Sequence, residues 1–401
     1  MKTGQVDRLR IALQIEKSRA HGRALLKGIA DYALERTDWR LELVDPDRLT
    51  RASYLAQFDG LIVRVMDDRT AAALARSGKP VVDTYGRIDG NPLESIRLDD
   101  TSIAKMAYDC FMEHHYRSFA YCGFDGLRFS EARGEAFRGY AEGNGGVCSY
   151  FRAPERKRIS DTFFRDEKTD VPDARALRTW LRSLPKPTAV FCCNDLRAVQ
   201  VLKVCADCGL NVPADLAVLG VDDDVLLCTF ANPSLSSIET DPFALGRTAA
   251  EMLHRQMQGK PGRRKPSAGI APVLHRPRRV VERVSTDTYP FRTPWLVDAV
   301  RYIRRNVADG VTAEDVVKRI GYSHPKVNQA FADELGHSIK KEILHQRSRL
   351  ACAMLKDTAL PAGEISARCG YQSPQYFCRS FAEEFGVTPE VWRRRFGVAA
   401  T

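Results

Sequence analysis

The sequence predicts a two-lobed α/β domain of doubly wound parallel sheets, followed by an all-α domain holding two helix-turn-helix units. Three observations predict it. Over residues 1–258 short apolar runs alternate with longer amphipathic stretches, as parallel strands covered by helices on both faces require. From Pro294 onward strand signals vanish and helical periodicity takes over. Within that tail one 14-residue pattern occurs twice, 50 residues apart.

In chain order, the strands are expected at Leu9–Ile15, Leu41–Val44, Leu61–Val65, Pro80–Asp83, Ser118–Cys122, Thr188–Cys193 and Leu216–Val221. Each is apolar nearly throughout, which marks a strand buried on both faces. Amphipathic helices are expected between them at Arg23–Leu34, Ser102–His114, Glu131–Glu142, Ala174–Leu184, Asp195–Cys208 and Phe243–Gln258. This many elements fits two lobes better than one sheet. Gly259–Pro272 is rich in Gly, Pro and basic residues and reads as loop. Arg278–Ser285 reads as a strand returning to the first domain. The expected boundaries are a sensor over 1–286, a linker over 287–293 and a helical domain over 294–398.

The repeat explains the helical domain. Ser323–Gly336 (SHPKVNQAFADELG) aligns without gaps to Ser373–Gly386 (SPQYFCRSFAEEFG). Ser323 and Ser373 stand where an N-cap belongs. Val327, Ala330, Phe331 and Leu335 fall on one helical face, as do Phe377, Ser380, Phe381 and Phe385. Gly336 and Gly386 stand where a glycine ends a helix. A short helix and a Gly-Tyr turn precede each copy, so each is the second helix of a helix-turn-helix, the one offered to a major groove. The positions off the buried face are the candidate DNA contacts. They are His324, Pro325, Lys326, Asn328 and Gln329 in the first copy, and Pro374, Gln375, Tyr376, Cys378 and Arg379 in the second. Asn and Gln pair with adenine and Arg with guanine.

Charge points the same way. The net charge of the 401 residues is +10, yet residues 1–258 carry −1, residues 259–292 carry +7 and residues 293–401 carry +4. A neutral front and a basic rear suit a polyanion partner for the tail, here double-stranded DNA. Arg263, Arg264, Lys265 and Arg276–Arg279 are suited to phosphate contact or to a solvated basic loop. A hydrophobic content of 44% is that of a folded chain, and no apolar run is long enough to span a membrane. Met1–Ser18 lacks the apolar core of a signal peptide, and the 11 cysteines follow no framework spacing; both suit a cytoplasmic protein.

The tail resembles the AraC/XylS family of bacterial transcription regulators. The matching run is Arg347, Ala351, Met354-Leu355 and Thr358, then Glu364-Ile365, Gly370-Tyr371, Ser373, Tyr376-Phe377, Phe381, Gly386-Val387-Thr388-Pro389 and Arg393. That likeness implies seven helices, with a long helix over about Lys340–Asp357 joining the two units. Ser348 stands where Leu is usual and Gln329 where Arg is common, which implies a different sequence preference or weaker binding by the first unit.

The front resembles the sugar-sensing core of LacI-type regulators, itself periplasmic-binding-protein-like. Three motifs carry this: Arg133 with Phe137 four residues on, Asn194-Asp195 after the strand Ala189–Cys193, and Asp222-Asp223 after Leu219-Gly220-Val221. The likeness implies ligand contact by Arg133, Asn194 and Asp222. The chemistry agrees, since a polyol needs planar groups that donate and accept in pairs. Asp195, at the start of the following helix, reads on its own as the N-cap of that helix. The loop Glu16–His21 is expected to face the same cleft. Together the resemblances imply a homodimeric activator with a sugar effector, D-xylose foremost, and RNA polymerase as a partner. No cofactor is expected. Cys205 and Cys208 form a lone CxxC inside a helix and read as structural, and His114 and His115 read as structural or exposed. No phosphate loop or catalytic triad stands out, which argues against an enzyme.

Overall fold

The apolar runs of the front half become the central strands of two six-stranded sheets. The computed structural model describes residues 8–88, 90–152, 171, 173–258 and 270–396. It divides into two compact units, Met1–Thr288 and Tyr289–Thr401. Arg263–Lys265 and the end of the chain from residue 397 lie outside the described residues.

The first lobe of the front unit holds β1 (Arg10–Gln14), β2 (Arg40–Leu43), β3 (Gly60–Val63), β4 (Val81–Asp83), β5 (Glu94–Leu98) and β11 (Val273–His275), in the order β11-β5-β4-β3-β1-β2. Every pairing in it is parallel. The second lobe holds β6 (Ser118–Cys122), β7 (Val147–Tyr150), β8 (Thr188–Cys192), β9 (Leu216–Val221), β10 (Ser236–Glu239) and β12 (Arg279–Val281), in the order β12-β10-β9-β8-β6-β7. Only its edge strand β12 runs antiparallel. Strand order reverses inside each sheet, which opens a crevice at the carboxyl ends of the strands.

The helices that matter below are α1 (Ala20–Arg36), α4 (Asp100–Glu113), α5 (Arg128–Gly143), α7 (Asp195–Asp207), α8 (Val225–Phe230) and α9 (Pro242–Gln258). The shorter α2 (Ala52–Leu55), α3 (Asp68–Arg76) and α6 (Ala174–Ser183) complete the unit. Helix α1 crosses α9 at bare backbone. A Cβ on Gly28 would lie 2.0 Å from the Phe243 carbonyl oxygen, and one on Gly246 would lie 2.1 Å from that of Leu25. Only glycine fits on both sides.

Three segments cross between the lobes, at Leu98–Asp100, Glu239–Pro242 and His275–Arg279. They are tied together: the Asp99 amide donates to His275 O and the Arg278 amide to Glu239 O, each at 2.8 Å. The segment expected to be one returning strand, Arg278–Ser285, is thus shorter, and the chain visits both sheets in turn through β11 and β12.

The second unit consists of α10 (Pro294–Asn306), α11 (Ala313–Ile320), α12 (His324–Leu335), α13 (Ile339–Asp357), α14 (Ala362–Arg368), α15 (Pro374–Phe385) and α16 (Pro389–Phe396). It has two cores. Leu296, Val300, Val316, Val327 and Phe331 fill one; Leu355, Ile365, Phe377 and Phe381 fill the other. Helix α13 serves both, with Ile339 and Ile343 in the first and Ala351 and Leu355 in the second. Gly321, Gly336 and Gly386 end their helices with φ of 76°, 78° and 70°, the left-handed conformation that favours glycine. Two details differ from expectation. Ser373 caps α15 through the Tyr376 amide, whereas Ser323 occupies the cap position of α12 without a side-chain bond. Phe385, in the last turn of α15, is 38% exposed, with one side of its ring against the core residue Phe381 at 4.6 Å between ring centres.

Candidate functional site

One cleft in the front unit gathers the residues that follow the carboxyl ends of strands. The first lobe contributes Gln14 and Glu16 after β1, Arg64 after β3, and Tyr85 and Arg87 after β4. The second lobe contributes Arg133 from α5, Asn194 and Asp195 after β8, and Asp222 and Asp224 after β9. Arg133, Asn194 and Asp222, 89 positions apart in sequence at their extremes, therefore line one cavity. Arg19, the N-cap of α1, and Ala20 and His21 of its first turn line it too.

Arg133 is 2% exposed. Its Nε donates to Asp100 Oδ1 at 2.9 Å and its Nη1 to the Cys193 carbonyl, while the guanidinium lies 5.1 Å from the Phe129 ring centre. Burial opposes its charge, but Asp100 and Asp222 outweigh burial and raise the guanidinium above its ordinary value. Arg87 reaches the other oxygen of Asp100 at 2.5 Å. Burial, and then the nearby Arg133 against the pull of Asp100, lower Arg87 below its ordinary value. Arg64 donates to Glu16 at 2.7 Å and stacks 4.7 Å from the Tyr85 ring centre. Burial works against the Glu16 carboxylate, yet Arg64 and His21 hold it below the usual carboxylate range.

Asn194 is the N-cap of α7, its Oδ1 accepting from the Arg197 amide at 3.0 Å. This corrects the expected role of Asp195. Asp195 is buried one residue further on, where it accepts from the Ser237 hydroxyl at 2.5 Å, from the Asp224 amide at 2.8 Å and from the Cys228 thiol at 3.5 Å. Burial, and then the charge of Asp222, push its carboxyl well above the usual range. Asp222 and Asp223 both have positive φ, 108° and 51°. That is a strained conformation for residues with a Cβ, and it turns the Asp222 carboxylate to within 3.7 Å of His21 Nδ1.

Sequence reasoning placed the segment Glu16–His21 at the cleft without singling out Arg19, and it missed Arg64, Arg87, Arg97 and Asp100, which sit outside any local motif. The structural signal at this cleft is a set of buried donors. Among the described residues, Nε and Nη2 of Arg19, Nδ1 of His21, Nε of Arg87 and Nε of Arg97 have no hydrogen-bond partner. Buried polar atoms are normally paired, so these nitrogens are donors available to whatever enters the cleft.

In the second unit, His324, Pro325, Lys326, Gln329, Pro374, Gln375 and Arg379 are exposed on α12 and α15. Lys326 Nζ lies 3.8 Å from the Tyr322 ring centre, and the Arg379 guanidinium 5.6 Å from that of Tyr376. Gln329 donates to Asp333 at 2.7 Å. Asn328, Tyr376 and Cys378 are half-buried. The Asn328 carbonyl accepts from the Ile339 amide at 3.3 Å, which turns that end of its amide toward the start of α13.

Residues 108–286 match the family model of a periplasmic binding protein-like domain, and residues 316–395 that of a helix-turn-helix domain. The chain is a transcription regulator that joins a periplasmic-binding-protein-like sensor to an AraC-type helix-turn-helix domain, and not an enzyme. Over its length it is similar to the xylose operon regulatory protein of Escherichia coli K12, with 28% identity covering 96% of this chain and 97% of that one. The protein of the same name from Haemophilus influenzae is 26% identical, covering 96% and 98%. A solved xylose-binding transcription activator matches with 26% identity and a TM-score of 0.59 over 98% of this chain and all of that one. A ribose-bound LacI family regulator from Enterococcus faecium, 18% identical with a TM-score of 0.53, covers 71% of this chain and 99% of its own and shares the sensor fold. The chain is thus a sugar-responsive DNA-binding regulator. No described helix is long and apolar enough to cross a membrane.

Proposed function

We propose that the protein activates pentose-utilisation genes as a cytoplasmic homodimer working through RNA polymerase, and that its effector is D-xylose or a close chemical relative. The sensor runs over 1–286, the linker over 287–293 and the DNA-binding domain over 294–398. Arg133, Asn194 and Asp222 contact the effector. His324, Pro325, Lys326, Asn328, Gln329, Pro374, Gln375, Cys378 and Arg379 form the DNA-contacting set.

The supporting observation is the convergence of Arg133, Asn194 and Asp222 on one cleft between two lobes joined by three crossing segments. A ligand held by both lobes favours their closed arrangement, and only that difference in affinity between states can be transmitted. The likeness to xylose regulators favours D-xylose as the sugar and activation as the sign of regulation. The test is thermal unfolding of the full chain against pentoses and hexoses. A ligand at 100 times its Kd stabilises by about 2.7 kcal/mol. A shift confined to pentoses supports the reading, and a shift confined to hexoses overturns it.

A further inference from the structure

Two of the five arginines that line the cleft, Arg19 and Arg97, have no carboxylate partner among the described residues. Arg64 is matched by Glu16. Arg87 and Arg133 share the single carboxylate of Asp100. Asp222 faces His21, Arg133 and Arg64. Asp224 accepts from the Leu226 and Leu227 amides as the cap of α8. Asp195 accepts three protein donors, and its burial favours the neutral carboxyl.

Arg19 and Arg97 remain. Neither has an ion pair among the described residues; Arg97 donates to the Gly86 carbonyl at 3.3 Å. Buried nitrogens of both, and Nε of the 5%-exposed Arg87, lack partners among the described residues. Sugar hydroxyls can satisfy donors, but they leave the charge uncompensated, and an uncompensated cation in a closed cleft is costly. A guanidinium fork matches the oxygens of a carboxylate or a phosphate.

We infer that the preferred effector is an anionic sugar, one bearing a carboxylate or a phosphate, whose charged group is held by Arg19 and Arg97. This rests on the cleft being the effector site, and it refines the ligand from a neutral pentose to a charged derivative.

The experiment is calorimetric titration of the full chain with D-xylose, D-xylonate and D-xylose 5-phosphate. Charge-assisted hydrogen bonds contribute enough for about tenfold tighter binding or more. One of the two anions is therefore expected to bind at least about tenfold more tightly than D-xylose, and which one tells carboxylate from phosphate. Arg97→Met and Arg19→Met should each shrink that preference, with D-xylose binding to the same samples as the check that they are folded. Equal or tighter binding of D-xylose by the wild type overturns the inference and leaves the cleft as a sugar site. Binding of an anion that is unchanged by Asp222→Ala and by both arginine variants overturns the inference and the effector site together, as does binding of none of the three.

Discussion

The carboxylate of Asp195 occupies the space beside Gly220 that any side chain there would need: a Cβ on Gly220 would lie 2.2 Å from Asp195 Oδ1. The glycine ahead of Asp222-Asp223 therefore answers to the packing of strand β9 against the first turn of α7. Gly220→Ala should lower the stability of the front unit by about 1–3 kcal/mol, the ordinary cost of overpacking. Urea unfolding of the two proteins measures this, and a variant as stable as the parent would show that Asp195 can move aside.

Asp195 also sets a pH dependence. Its carboxyl is raised well above the usual range by burial and then by Asp222, so the folded chain keeps a proton that the unfolded chain releases. Stability from this group is complete below the unfolded value, about pH 4, and is lost as pH rises toward the folded value. Asp222, raised by burial, contributes with the same sign. In Asp195→Asn the amide can donate to Ser237 and its carbonyl can accept from the Asp224 amide, with no proton to lose. The melting temperature of the front unit should then fall less between pH 4 and pH 8 than in the parent. Two parallel curves would contradict the assignment.

Asp222→Ala should abolish the response to sugar while leaving basal DNA binding in place, because the residue belongs to the front unit and faces the cleft. The comparison is DNA affinity with and without saturating ligand. Normal sugar affinity in the variant would remove Asp222 from the site.

The central strands were legible because they are apolar from end to end, as in Leu216–Val221. Strand β10 was not, because it reads SSIE. Its two serines are fully buried and balanced by side chains remote in sequence: Ser236 by Thr286 at 2.6 Å, and Ser237 by Asp195. Strand β5, ESIRL, hides for a related reason, with charged residues at two of its five positions. The cleft divides the same way. Arg133, Asn194 and Asp222 stand in short motifs that a sequence reader can place. Arg87 and Arg64 become part of it only through Asp100 and Glu16, partners 13 and 48 residues away.

Ser348, where leucine was expected, finds its partner inside the second core. Its hydroxyl lies 3.0 Å from that of Tyr371, and both are buried. Tyr371→Phe should cost about 1–2 kcal/mol by leaving the Ser348 hydroxyl alone. Adding Ser348→Ala should return part of that loss, which a double-mutant cycle measures. Strict additivity would mean that the two hydroxyls do not interact.

Arg379 and Gln375 lie exposed on α15, on the side away from Phe377 and Phe381, so they can reach base edges without disturbing the core. Against a fragment selected from random DNA by the wild type, Arg379→Ala and Gln375→Ala should each weaken binding by about 1–3 kcal/mol and relax the preference at one position. Lys326→Ala should instead weaken binding to all sequences alike and reduce the salt dependence by about one phosphate contact. Asn328→Ala should also lower stability by about 1 kcal/mol, since its carbonyl serves the Ile339 amide. If neither Arg379→Ala nor Gln375→Ala changes affinity, the register of α15 against the groove is wrong. The exposed end of the helix would then contact only backbone, and specificity would have to come from α12.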